Sequence, residues 1–313
     1  MIKEEFYFDS RDGENRIHAV RYTPDDGNVR GIVQIVHGMA EYVERYENLA
    51  EFLTKRGILV TGEDHLGHGK SVSKGGSFGY FCEQDPATVV VRDVHRLKKI
   101  TEEQYPQVPY IILGHSMGSF IARNYLCRYG SGIDGAVIVG TGMQSSGLIF
   151  ASKAMAGIQK LFCGSKHVSH FIDKAAFGGY NKRIDSPRTS SDWLSRNTDN
   201  VDRYIADELC GFTFTVNGFQ TLFELIRRLQ KQENLEKVPQ NLPILMVSGA
   251  EDPVGDYGKG VHKACDSLKR AGVKNIIVKL YENDRHELLN EDDAETAMED
   301  IWQWICKEVP GIV

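Results

Sequence analysis

One stretch of this 313-residue chain, Tyr110–Phe120 (Y-I-I-L-G-H-S-M-G-S-F), constrains its fold more than any other. Tyr110 to Leu113 read as a buried strand. Beyond Gly114-His115-Ser116-Met117-Gly118, the residues Phe120, Ile121, Ala122, Tyr125 and Leu126 fall at helical spacing. A strand that runs straight into a helix through G-x-S-x-G puts Ser116 at strained backbone angles, and the flanking glycines let neighbouring backbone pass close by. A serine at such a turn has its hydroxyl pushed outwards and is a candidate nucleophile. An ordinary glycine-bounded turn carries the same letters, so the assignment depends on what the rest of the chain supplies.

The rest of the chain alternates strand and helix. Residues 5–10 and 16–23 read as two antiparallel strands joined across Arg11-Asp12-Gly13-Glu14-Asn15. Gly31–Val36, Ile58–Val60, Tyr110–Leu113, Ala136–Val139, Leu242–Val247 and Asn275–Leu280 are short runs, nearly all apolar, as expected of strands covered on both faces. Helical periodicity falls around residues 46–53, 88–104, 219–229, 257–271 and 293–308, the last with Ala297, Ile301, Trp304 and Ile305 on one face. The rhythm predicts an α/β fold with a mainly parallel central sheet, helices on both faces and right-handed crossovers. It breaks between Gln144 and Phe214, which is richer in Ser, Lys, Asn and Asp and carries Leu148-Ile149-Phe150, Met155, Ile158 and Leu161-Phe162 in an amphipathic pattern. The expected organisation is a core formed by residues 1–143 and 215–313, with a helical cap inserted at 144–214.

Composition narrows the function. A formal net charge of −6 argues against a nucleic-acid partner or an anionic membrane held by long-range attraction. The first ten residues lack the basic flank and apolar core of a signal peptide, and no run is long enough to span a membrane. Six cysteines are spread singly, as expected of free thiols in the cytoplasm. At most, transient membrane contact through the cap is expected, from its apolar stripe.

A serine hydroxyl is not ionised at neutral pH and needs a base, which in turn needs an orienting acid. In a parallel sheet these groups project from loops at the carboxyl ends of strands. Asp252 follows the Leu242 strand, and His286 follows the last strand. Glu251 and Asp256 compete with Asp252, which is better placed at the strand-end turn before Pro253. His115 adjoins the serine, where the turn directs its side chain elsewhere. Asp64-His65-Leu66-Gly67-His68 invites a metal assignment, but Gly67 and Gly69 suggest a tight turn and no further ligand is evident, so neither metal nor cofactor is expected. An oxyanion needs backbone N–H donors; Met117, at the start of the helix, and Met39, just after His37-Gly38, are the natural pair.

Together, H-G-M-A-E-Y-V-E-R-Y (37–46), D-H-L-G-H-G-K-S (64–71), G-H-S-M-G (114–118), S-G-A-E-D-P-V (248–254) and His286 resemble the monoacylglycerol lipase and lysophospholipase branch of the α/β-hydrolases, the serine aminopeptidase S33-like group. The resemblance implies an α/β-hydrolase fold, a Ser116–Asp252–His286 triad, oxyanion donors at Met39 and Met117, and the 144–214 segment as cap. It also implies cleavage of a small-molecule carboxylic ester with one acyl chain. The chain departs from the group's usual pattern in having Tyr42 where His is common after Glu41, and Ser119 where Gly is common. An aminopeptidase or amidase using Asp192, Asp199, Asp202, Asp207 or Glu208 to bind a free amine, and a non-catalytic binder of a small apolar ligand, are the alternatives.

Overall fold

In the computed structural model, which describes residues 1–312, the strands β1 (Ile2–Asp9), β2 (Arg16–Thr23), β3 (Gly31–Val36), β4 (Ile58–Glu63), β5 (Tyr110–His115), β6 (Gly135–Val139), β7 (Ile244–Gly249) and β8 (Ile276–Tyr281) form one sheet. Their order is β1-β2-β4-β3-β5-β6-β7-β8. The β1–β2 and β2–β4 pairings are antiparallel and the remainder parallel. Because β3 lies between β4 and β5, the order reverses there, and a crevice opens beyond the carboxyl ends of those strands.

The strands are apolar on both faces because helices cover both. Ile32, Val36, Tyr110, Ile112, Ala136, Ile138, Ile244 and Met246 point into one core. That core is closed by α2 (Pro86–Gln104), α3 (Met117–Tyr129), α7 (Val216–Leu229) and α9 (Lys259–Arg270). Their sheet neighbours Val33, Ile35, Ile111, Leu113, Val137, Val139, Leu245 and Val247 alternate into a second core with α1 (Glu47–Thr54) and α10 (Ala294–Glu308). A four-residue α8 (Gln232–Leu235) connects α7 to β7.

Between β6 and α7 lie α4 (Ser146–Cys163), α5 (His170–Phe177) and α6 (Thr198–Ala206), with two short 3-10 turns between the last two. Most of the apolar stripe of α4 faces outwards. Ile149 and Ala156 are its only buried residues, packed towards α7, whereas Leu161 is 84 % and Phe162 85 % exposed and Leu148, Phe150 and Ile158 are also exposed. Periodicity specifies that a helix has an apolar face without saying what covers it; here only Ile149 and Ala156 pack inwards. No helix among the described residues is long and apolar enough to cross a membrane.

The fit of α3 against the sheet depends on glycine. A Cβ on Gly118 would overlap the carbonyl oxygen of Val36, and one on Gly114 would lie 2.5 Å from the Gly118 carbonyl oxygen and 2.7 Å from Ala122 Cβ. Gly157, inside α4, has nothing within 4 Å of an added Cβ. We predict that Gly118→Ala destabilises the fold by about 3 kcal/mol or more, through overpacking against backbone that has no room to yield. Gly157→Ala stabilises it by about 0.5–1 kcal/mol through helix propensity. Urea denaturation of the two variants beside the parent measures both.

Candidate active site

β5 delivers Ser116 at φ +54° and ψ −121°, a conformation that only a tightly braced non-glycine residue holds. Its N–H donates to the Val139 carbonyl at 3.0 Å, tying the turn to the end of β6. Ser116 remains partly exposed, and its hydroxyl has no hydrogen-bond partner among the described residues.

The loops after β7 and β8 meet beside it. Glu251 N–H donates to the Asp284 carbonyl at 2.9 Å and Ala250 N–H to the Tyr281 carbonyl at 2.8 Å, so the two loops are joined through their backbones. This brings Asp252 Oδ2 to 3.0 Å from His286 Nδ1, with both side chains buried. Asp252 also accepts from Ser248 Oγ at 3.1 Å and from the Val254 N–H at 2.8 Å. A carboxylate only accepts, so Nδ1 carries the proton and His286 Nε2 is the basic nitrogen. The tilted ring of Trp193 lies against His286, with centroids 5.1 Å apart.

The β3 exit, His37-Gly38-Met39-Ala40, is bent back by Ala40 at φ +53°. Gly38 N–H is committed to Glu41 Oε1 at 2.5 Å, while the Met39 N–H has no partner among the described residues. Met117 is the first residue of α3, where an N–H has no preceding helical carbonyl to reach. The turn sits on a packed set of imidazoles. His37 Nδ1–H donates to the Gly38 carbonyl, and its Nε2 accepts the His65 N–H at 3.0 Å. The His65 ring stacks 4.1 Å from His37, and His68 is ringed by Phe81, Phe212 and Phe214. Asp64 accepts from Val43 N–H, Lys70 N–H and His18 Nδ1, so it acts as a loop tie.

A buried ionic chain, whose purpose the sequence reasoning missed, links these loops. Arg45 is bidentate to Glu287, at 2.6 and 2.7 Å, and also donates to Glu41 Oε2 at 2.8 Å. Glu41 Oε1 further accepts from Tyr46 Oη at 2.8 Å and His115 Nδ1 at 3.2 Å, and His115 Nε2 donates to the His286 carbonyl at 3.1 Å. Burial opposes charge on Glu41, but His115 and Arg45 hold its carboxyl well below the usual range. Arg45 likewise overcomes burial and keeps Glu287 low. Glu41 in turn raises His115. The available signal was Glu287 next to His286, and Glu41, two residues after Met39, with the oppositely charged Arg45 four residues further on.

The returning part of the inserted segment is fastened to the same loops. Arg285 donates to the carbonyls of Asp192 and Ser195 at 2.7 and 3.1 Å, Glu287 N–H to that of Leu194 at 2.6 Å, and Asn200 Nδ2 to Glu287 at 2.6 Å. Tyr42 Oη donates to Asp207 at 2.8 Å, which gives the unusual tyrosine a role, and Gly211 N–H reaches the Ala40 carbonyl at 3.0 Å. Of the acids considered for amine binding, Asp192 is bonded to Thr189 and the Arg188 N–H, Asp202 to Arg188, and Asp207 to Tyr42.

Known proteins resemble the chain over most of its length. A family model described as "Serine aminopeptidase, S33" matches residues 27–293. The chain is 27 % identical to the monoglyceride lipase of Rattus norvegicus over 92 % of its own length and 86 % of that protein's. It is 28 % identical to the monoacylglycerol lipase of Mycolicibacterium smegmatis, over 92 % of both. Among solved structures, a thermostable carboxyl esterase from Bacillus coagulans in complex with glycerol superposes with a TM-score of 0.91 at 31 % identity, over the full length of both chains.

The histidines beneath the turn generate a pH prediction. Burial, reinforced by the neighbouring His37 imidazole, pushes His68 down to about 3. The unfolded chain therefore binds this proton first, near the ordinary value of about 6.5, and folded stability contributed by neutral His68 is lost as pH falls below that value. Relative to His68→Phe, the wild type should lose about 1.4 kcal/mol per pH unit between roughly pH 6 and 4. Paired denaturation curves across that range measure the slope.

Proposed function

The chain belongs to the serine aminopeptidase S33 family, and from that premise we propose that it is a carboxylic ester hydrolase of the monoacylglycerol lipase type, acting through Ser116, His286 and Asp252. The observation that carries the proposal is the buried 3.0 Å Asp252–His286 contact at the same sheet end as a serine held at φ +54°. His286 Nε2 takes the Ser116 proton as the hydroxyl attacks the ester carbonyl, and Asp252 holds the ring and stabilises the imidazolium. The Met39 and Met117 N–H groups receive the oxyanion. His286 then protonates the departing alcohol, and water activated by the same nitrogen cleaves the acyl-enzyme. A small ester with one acyl chain is the substrate class, monoacylglycerol-like or lysophospholipid-like. Commitment of three cap acids to other partners favours an ester over a free amine.

In this proposal residues 144–214 are a cap, and Trp193 forms an apolar wall over His286. The exposed row of Leu148, Phe150, Ile158, Leu161, Phe162 and Phe171 supports transient contact of the cap with a lipid surface. Six free cysteines among the described residues support a reducing, cytoplasmic setting.

Ser116→Ala is expected to lower kcat for a short-chain nitrophenyl ester by about 10⁴-fold or more without loss of fold; retained hydrolysis would sink the proposal. Leu161→Asp combined with Phe162→Asp should reduce binding to phosphatidylcholine vesicles and turnover of a vesicle-borne long-chain monoacylglycerol by roughly tenfold, while soluble short-chain turnover stays within about twofold. Equal losses on both substrates would refute the membrane role.

A further inference from the structure

The largest fully buried side chain is a cation without a counter-charge. Arg123, two turns into α3, is 1 % exposed. Its Nη1 donates to the Gly142 carbonyl at 3.0 Å and to Thr141 Oγ1 at 3.3 Å, while Nε and Nη2 have no partner among the described residues. Burial lowers its pKa to about 10, so it remains charged at neutral pH. A buried charge opposite only neutral dipoles costs several kcal/mol that an apolar side chain of similar length would not. Stability therefore does not explain the residue.

Its position does. It holds Thr141 and Gly142, and the segment they end, Val139 to Gly142, touches the serine turn, His286 and the Asp252 turn. Val139 accepts the Ser116 N–H at 3.0 Å, and the Gly140 N–H donates to Val247 at 3.0 Å. Gly140 has φ +59°, and a Cβ there would lie 3.2 Å from His286 Cε1 and Nδ1. Gly142 packs on the carbonyl of Val254, the residue whose N–H donates to Asp252, and a Cβ on Gly255 would lie 3.2 Å from the Thr141 carbonyl. A second line runs through side chains. Ser119 Oγ is 2.5 Å from the Ser116 carbonyl and 2.8 Å from Thr141 Oγ1. Arginine only donates, and the one Ser119 proton goes to the Ser116 carbonyl. The donors are therefore aligned from Arg123 through Thr141 and Ser119 to Ser116. Ser119, where the resembling group commonly has glycine, is the link that makes this chain continuous.

We propose that Arg123 is a positioning residue for the reaction: it pins residues 140–142, on which the mutual placement of Ser116, His286 and the Asp252 turn rests, and through Thr141 and Ser119 it orients the Ser116 carbonyl. This rests on the assignment of Ser116 as nucleophile. Displacement of attacking and proton-accepting atoms by a fraction of an ångström slows chemistry more than it weakens binding.

The test uses the full-length protein, a short-chain nitrophenyl ester and a fluorophosphonate probe. Arg123→Met should lower kcat and the rate of Ser116 labelling by roughly tenfold or more, with KM within about twofold and Tm unchanged or higher. Arg123→Lys should recover part of kcat. Thr141→Val and Ser119→Ala, which cut the side-chain line alone, should each lower kcat by about three- to tenfold, and they decide the matter if the Met variant does not fold. Wild-type kcat in Arg123→Met, a loss wholly in KM, or a Lys variant no better than Met overturns the proposal. If the Met variant does not fold, unchanged kcat in both line-cutting variants does so. Failure of the underlying assignment is distinguishable, because Ser116→Ala would then retain hydrolysis.

Discussion

The arrangement at the sheet end depends on one guanidinium, that of Arg45, buried between Glu41 and Glu287. These residues come from the β3 exit and from the loop after β8, which lie at opposite ends of the chain. Removing any one member would leave an uncompensated buried charge, at a cost of about 3–5 kcal/mol. The intact chain of charges instead holds the turn bearing Met39 and the loop bearing His286 in one body. His115 extends it to the residue before Ser116, through its bond to the His286 carbonyl. Rigidity of this kind suits a site whose donors must already be aimed before charge develops.

Much of this was legible in the sequence, for identifiable reasons. Doubly covered strands read as apolar runs, so the sheet was visible. G-x-S-x-G between a strand and a helix located the tight turn, and the strand-end positions of Asp252 and His286 follow from the same topology. Arg45, Glu287 and Asn200 were not legible as a network, because charged residues on loops ordinarily face solvent and only tertiary contact shows these buried. Which side of α4 packs was not legible for a related reason. A hydrophobic period marks a face without saying what covers it, and here Ile149 and Ala156 suffice for packing on α7. Arg123 was invisible as a special residue, since a single arginine in an amphipathic helix most often lies on its wet side.

The two departures from the resembling group's pattern also acquire physical content. Tyr42 reaches across to Asp207, and Ser119 to the Ser116 carbonyl. Both add a hydrogen bond: the first joins segments far apart in sequence, outside the site, and the second braces the turn beneath it from within the same helix start. Neither supplies a group that reacts. Both reduce the freedom of groups proposed to do so.

The inserted segment is fastened unevenly. Residues 192–211 are joined to the β3 exit and the His286 loop by many buried bonds, whereas α4 is held to the core largely by Ile149, Ala156 and a surface ion pair of Lys153 with Glu224. From Ser165 on the insertion is tied down again, with the N–H groups of Val216 and Asn217 reaching the carbonyls of His167 and Ser165 and Ile172 fully buried, so the seam lies at the end of α4. On one side the chain is bonded to the loops of the proposed site and its Trp193 lies against His286. On the other, α4 is a nearly modular panel, whose sequence is free to vary without disturbing the loops that hold Met39 and His286.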